Sequence, residues 1–547
     1  MTRRLLPALL LAVSMWAQTP APAPTTPPAA PPAAAPVPLT DVDMKSIDAP
    51  KPELRAKGDP DGALTGTVAD VSVSDAKKGL TLADAVNQIG QNKIAVNFVW
   101  TLITGYLVMF MQAGFAFLET GLCRSKNANH TMMMNLIVYA IGVFAYWLIG
   151  FSLQMGGVGG IANLGGTAPL AREFTINVFG KPFGLFGQKG LFLMSSGTYD
   201  VGVMVIFLFQ MVFMDTALTI VTGVGAERWK FTAFIVSSFL MGCITYPIFA
   251  NWAWGNGWLA NLGANFGLGK GYCDWAGSGV IHAVGGITAL ALGIMLGPRI
   301  GKYTRDGKAL AIPGHDIVIV LTGCFILAFG WFGFNPGSSL GASGSGNLRI
   351  GSIAVNTMLA SSSGALAAML YVWLRFGKPD ASMSGNGLLA GLVAITGPSG
   401  FVNPVGAIII GAIAGVLVCL SVSFVETVMK VDDPVGAISV HGTCGLWGVL
   451  AIGLFADGKS NYGGSWNSVN GSVTGLFYGD AGQLVAQLIG ISALLGLVFV
   501  VSFGLNFLID AVVGNRVCAK SELEGLDLPE IGVLGYPEFE LKSPSPY

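Results

Sequence analysis

The sequence predicts an all-α polytopic membrane protein, and three observations carry the prediction: long apolar stretches recur, charge is scarce, and basic residues favour alternate loops. Charged residues make up 11% of the 547-residue chain and hydrophobic ones 52%, with a mean hydropathy of +0.65. A soluble protein carries about a quarter charged residues. The apolar stretches from Ile94 onward are long enough to cross a hydrocarbon core of ~30 Å at ~1.5 Å rise per residue. The 77 glycines suit helices that pack closely in lipid. A net charge of −1 gives no ground for a nucleic-acid partner. The seven cysteines are scattered with no CxxC pair, so neither a zinc site nor a disulfide framework is indicated, and no cofactor is implied.

The N-terminus reads as a processing signal. Arg3 and Arg4 precede a short apolar run from Leu5 to Trp16, too short to span, which predicts a signal peptide over residues 1–18. A Pro/Ala-rich extracytoplasmic arm follows over 19–78. Thr81 and Asp84 then have capping-box spacing, so a helix leads into the first span.

The membrane domain is expected over 79–515. Eleven spans are read at about 94–122, 131–155, 200–224, 231–252, 275–297, 315–335, 350–375, 383–397, 404–429, 436–456 and 482–514. With the N-terminus outside, the loops predicted to face the cytoplasm hold Arg124 and Lys126; Arg228 and Lys230; Arg299, Lys302, Arg305 and Lys308; Arg375 and Lys378; and Lys430. Arg516 and Lys520 follow the last span. The outer loops are longer yet poorer in basic charge. That asymmetry agrees with the signal peptide on a topology with the N-terminus outside and the tail, 516–547, inside.

The fifth and tenth spans share a pattern. Asp274-x2-Gly277-x4-His282-x3-Gly286 is repeated as Asp433-x2-Gly436-x4-His441-x3-Gly445. Five crossings separate them, and an odd number reverses direction, so Asp274 is expected at the outer mouth and Asp433 at the inner one. Each histidine lies eight residues deeper, about 12 Å along a helix, near the midplane. The architecture expected is an inverted repeat of 5+5 helices, over about 94–297 and 314–456, plus a long eleventh helix. A histidine in a span can be a satisfied polar residue that only packs helices. Ionisable groups in lipid are costly, however, and usually face a pathway. Two imidazoles without a third ligand make a poor metal site, whereas imidazole pairs relay protons and bind N–H groups.

These residues resemble the ammonium transporter family, which includes the Rh proteins. The likeness rests on Gly121–Asn127, Gly225–Arg228, Cys273–His282, Gly330–Ser338 and Val431–Gly442, in the family's order. It implies eleven helices in a homotrimer with one narrow pore per subunit, in the plasma (inner) membrane of a bacterium, with a PII-class regulatory protein as partner at the cytoplasmic face. It further implies an outer ammonium site at Trp254, Phe213 and Ser338, with Gln210 near the mouth. Phe213 and Phe334 correspond to a stacked gate, His282 and His441 to the pore and proton relay, and Asp274 and Trp331 to supporting positions. An aromatic face attracts a cation by ~0.5–2 kcal/mol, and a serine oxygen accepts an N–H bond. Asp274 is expected to hold backbone N–H groups rather than substrate; Asp432 and Asp433 are expected to shape the inner end of the tenth helix.

The implied function is ammonium recruitment, deprotonation, and passage of ammonia past the histidines, with or without a relayed proton. An ammonium receptor without flux and a neutral-gas channel stand as alternatives. Two departures from the family pattern, Ile531 where a histidine is usual in the tail and Gly436 where an acid is common, bear on tail coupling and inner-pore electrostatics.

Overall fold

The computed structural model describes residues 82–156, 173–194, 201–343, 349–459 and 472–537. The expected signal peptide and arm lie outside the described residues. The first helix, α1, runs unbroken over Leu82–Leu122. It is followed by α2 (Ser125–Met155), α3 (Val201–Gly225), α4 (Phe231–Trp254), α5 (Ser278–Leu296) and α6 (Ile317–Phe334). Then come α7 (Ile350–Phe376), α8 (Ala381–Thr396), α9 (Pro404–Thr427), α10 (Ile438–Phe455) and α11 (Ala481–Val512). Asp316, Asp380, Asn403 and Asp480 each cap the helix they precede by accepting a bond from its first-turn N–H groups.

Among the described residues ten helices are long and apolar enough to cross a membrane. The eighth expected span is the 16-residue α8, about 24 Å long and shorter than the ~30 Å core. It is buried from Gly385 to Thr396 except at Leu388. Its Gly387 and Gly391, with Gly364 of α7 and Gly411 and Gly415 of α9, bring three backbones together: a Cβ on Gly364 would lie 2.4 Å from the Gly387 carbonyl oxygen, and one on Gly415 would lie 2.2 Å from that of Gly364. Small residues at four-residue spacing permit this approach.

Helices α5 and α10 run antiparallel. Gly448 of α10 lies against Ser278 at the start of α5, Gly286 against Gly442 midway, and Gly293 against Ile438 near the end of α5. Each helix opens with a π-helical turn, Ser278–Ala283 and Ile438–Thr443, and each turn contains one of the two repeat histidines. Such turns widen a helix locally and recur at functional positions.

One segment departs from the all-helical expectation. Residues Glu173–Val178 (β1) and Lys181–Gly187 (β2) pair antiparallel. The connecting Phe179 and Gly180 both have positive φ (50° and 75°), the backbone a two-residue hairpin turn requires. The hairpin is fastened to the bundle: Trp252 Nε1 donates to the Leu185 carbonyl (2.9 Å), and Trp258 stacks on Phe183 (5.3 Å).

At the opposite end the chain after α11 folds onto the loops. Lys126 Nζ donates to the Glu522 carbonyl (2.9 Å), the Leu526 N–H donates to Asn127 Oδ1 (2.9 Å), and the His130 and Gly535 N–H groups donate to the two Asp527 oxygens. Glu530 accepts from the Phe231 N–H (2.9 Å), and Tyr536 meets His315 Nε2 (2.9 Å). Ile531, the departure noted in the tail, does not prevent docking within the subunit.

Candidate functional site

The shared Asp-x2-Gly sequence produces one local structure twice. Asp274 Oδ1 accepts from the Gly277 N–H (3.0 Å), and Oδ2 accepts from Gly279 and Val280 (2.9 Å each). Asp433 accepts in the same way from Ala437 (2.9 Å) and Ile438 (2.8 Å). To wrap the chain round its carboxylate, the intervening glycine takes positive φ, +112° at Gly277 and +82° at Gly436. Gly436, read from sequence as a lost acid, is therefore the counterpart of Gly277. Burial pushes both carboxyls up to about 6, the N–H donors restraining the rise.

The caps aim the histidines at each other. His282 Nδ1 lies 3.1 Å from His441 Nδ1, with ring centroids 5.2 Å apart. Proton counting fixes what this pair presents. A neutral imidazole carries one N–H, and the shared bond consumes one of the two available. One ring therefore has a bare Nε2, an acceptor, and the other an Nε2–H, a donor. His282 Nε2 is buried and, among the described residues, meets no hydrogen-bonding group.

Above the histidines the aromatic residues form a continuous file. Phe334 stacks on His282 (5.5 Å) and on Phe213 (4.2 Å, 17° between planes), and Phe213 meets the edge of Trp254 (6.3 Å). Trp331 covers His282 from the side (5.1 Å), its Nε1 held by Thr396 Oγ1 (2.8 Å). Trp254 Nε1 donates to the Asp274 carbonyl (2.7 Å), which joins the aromatic site to the cap of α5. Ser338 sits one turn beyond Phe334 and donates to its carbonyl (2.8 Å), leaving the hydroxyl lone pairs as acceptors. Gln210 lies one turn before Phe213; its Oε1 accepts from Gln154 Nε2 (2.8 Å), whose own Oε1 accepts from Tyr146. The three neighbouring tryptophans thus divide: Trp254 turns to Phe213, while Trp252 and Trp258 hold the hairpin.

Below the histidines the path widens. A cavity of 10 Å³, about the room one water-sized molecule needs, is lined by Glu119, Asn386, Val435, Gly436 and His441 among others. It shares Asn386, Val435 and Gly436 with a vestibule of about 570 Å³, in which Arg299, Lys302, Asp380, Glu426 and Asp433 also stand. Asp432 turns away from this path. Arg299 donates to both its oxygens (2.8 and 3.0 Å) and to Glu227 (3.2 Å), which also receives Arg124 Nε (2.6 Å). Burial would raise Asp432, but the Arg299 bonds and charge hold it at about 2.

Sequence reading counted Arg228 and Arg299 as loop charges, yet both are buried in the structure; loop composition does not reveal an ion network. It also passed over Glu119 and Asp215, although an acid inside an apolar span was a legible signal.

Comparison with known proteins identifies the family. The model of the Ammonium Transporter Family matches residues 99–536. The chain is 44% identical over 449 residues to Ammonium transporter Amt2 of Archaeoglobus fulgidus, covering 82% of this chain and 89% of that protein. It is 33% identical to Ammonium transporter 1 member 3 of Solanum lycopersicum over 461 residues, 81% and 93% of the two chains. Among solved structures, a Sensor Amt Protein superposes with a TM-score of 0.68 at 32% identity, covering 80% of this chain and 99% of that one. Mep2 of Candida albicans does so with 0.67 at 27% identity, covering 83% and 93%. With its helices, its repeat and its sequence all in agreement, this multi-pass membrane protein belongs to the ammonium transporter family.

Proposed function

We propose that the protein moves ammonium across a bacterial plasma (inner) membrane, inward from the face that bears Trp254 to the face that bears Arg299. The observation that carries the reading is the file from Trp254 through Phe213 and Phe334 to His282 and His441, with a vestibule beyond. Ammonium is recruited at Trp254, Phe213 and Ser338, where an aromatic face and a hydroxyl oxygen offer what a small N–H cation binds. The stacked phenylalanines leave no room for a hydrated ion, and stripping ammonium of its water inside an apolar path is costly. The proton is therefore given up there, and ammonia passes on.

Ammonia both donates and accepts, and the histidine pair offers one acceptor and one donor. Potassium ions match neither the deprotonation nor the bonds. Asp274 and Trp331 hold the pair in place without touching substrate. A homotrimer, an outside N-terminus and a PII-class partner at the docked tail are adopted with this reading.

A second reading has its own support in the likeness to a Sensor Amt Protein: ammonium binding without net flux. An ammonium pulse on proteoliposomes separates the two. Current or internal pH change in the parent, abolished in His282→Ala, is expected. Binding without either signal would establish the sensor reading instead.

A further inference from the structure

The family likeness leaves two buried acids, Glu119 and Asp215, without a task, and the first lines the inner path. Glu119 of α1 is 2% exposed and, among the described residues, forms no ion pair. An ionised carboxylate there would be an uncompensated charge within the membrane, which is costly.

The surrounding hydrogens can be counted. Asn135 is fixed: its Oδ1 accepts from Thr219 Oγ1 (2.8 Å) and Gln112 Nε2 (3.3 Å), and its Nδ2 donates to the Thr131 carbonyl (3.1 Å) and to Glu119 Oε2 (2.8 Å). Thr222 Oγ1 stands 3.0 and 2.8 Å from the two Glu119 oxygens, but also 2.5 Å from the Thr219 carbonyl oxygen. A hydroxyl has one hydrogen, and a carbonyl cannot donate. With the Thr222 hydrogen on Thr219, the contact to Glu119 is a bond only if Glu119 donates. The network is complete when Glu119 is a carboxylic acid.

Glu119 also lines the water-sized cavity that His441 closes on one side and the vestibule joins on the other. The titratable groups that face it are His441 across the cavity and Cys123 one turn along α1; α2 and α3 present Asn135, Thr219 and Thr222.

We infer that Glu119 is the proton donor at the inner end of the path, a carboxylic acid at rest that protonates ammonia emerging past His441. The inference rests on the transport reading above. The Glu119 O–H bond breaks with its electron pair left on oxygen, and the ammonia lone pair forms the new N–H bond. The resulting carboxylate and ammonium attract each other in the cavity until the ion leaves through the vestibule. The proton taken from the incoming ammonium, passed by the histidines, restores the acid. Atoms balance, and one positive charge crosses per cycle.

The test compares the parent with Glu119→Gln and Glu119→Asp in proteoliposomes, after matching their thermal unfolding. Glutamine keeps a donor for Thr222 and an acceptor for Asn135 but cannot transfer a proton. Ammonium-evoked current is expected to fall about a hundredfold or more in E119Q, the low side of what a positioned acid contributes, and to return in part in E119D. The dependence of rate on internal pH should flatten in E119Q. Infrared difference spectra of the parent should show a protonated-carboxyl band that shifts on ammonium addition and is missing in E119Q. A parent without flux sinks the transport reading, and the absence of that band would then overturn the acid as well. With an active parent, E119Q at parental rate and parental pH dependence overturns the inference. Should E119Q fail to fold, Thr222→Val decides: the carboxyl band moves if Glu119 donates to Thr222, and an unmoved band overturns the proposal.

Discussion

Gly277 and Gly436 occupy equivalent turns, each three residues after an aspartate whose oxygens collect the N–H groups that follow, yet their surroundings differ. A Cβ on Gly277 would fall 1.9 Å from Ile281 Cδ1 and 3.2 Å from Trp254, whereas the atom nearest one on Gly436 would be Asn386 Nδ2, at 3.1 Å. Left-handed backbone costs a non-glycine residue about 1–2 kcal/mol at either place. Gly436→Ala should therefore lower thermal stability by about that amount, and Gly277→Ala by more, with displacement of Trp254. Unfolding of the purified variants in detergent checks the order, and equal losses would contradict it.

The proposed transport path gives the Trp254 face the task of binding the cation. Trp254→Leu should raise the half-saturating ammonium concentration by about 2–30-fold, the equivalent of 0.5–2 kcal/mol, with a smaller change in maximal rate. Concentration series on proteoliposomes measure both. A loss of maximal rate alone would assign Trp254 to packing.

Asp432 is held at about 2, against an ordinary value of 3.8. A lowered carboxyl contributes stability above its unfolded pKa and loses it as pH falls through the folded one. The structure should thus lose about 2 kcal/mol between roughly pH 4 and pH 2. Asp432→Asn should abolish that acid step and cost about 3–5 kcal/mol at neutral pH, because Arg299 keeps a buried charge with one partner fewer. Melting curves across pH report both effects.

Tyr536 and His315 join the tail to the loop before α6 through one hydrogen bond. Tyr536→Phe removes it and should free the last residues for limited proteolysis while costing only about 1 kcal/mol of overall stability. Unchanged cleavage would mean that Asp527 and Glu530 hold the tail without it.

The membrane helices and the histidine pair were legible because lipid imposes long apolar runs and because a repeated Asp-x2-Gly-x4-His cannot be mistaken for composition. Position alone did not separate Trp254 from Trp252 and Trp258, since all three suit a membrane interface equally; the family resemblance singled it out, and the path of α4 and the hairpin brings it to Phe213. The hairpin itself was hidden, its six- and seven-residue strands carrying glycine, proline and an exposed phenylalanine rather than a clean alternation. Arg299 and Lys308 look alike in a loop, but the first is buried against Asp432 and the second is not. Long-range pairing of that kind, 133 residues apart, has no local signature.

The docked segment after α11 also bears on how the molecule is made. The partners of Lys126, Asn127, His130 and Phe231 belong to residues 522–535, which leave the ribosome only after α1 to α11 have been synthesised. Until then the first two basic loops stand open, their N–H groups and side chains facing water or whatever else offers itself. Closure of that face is thus a mark of a finished chain, and quality control that samples those loops could tell a truncated product from a complete one.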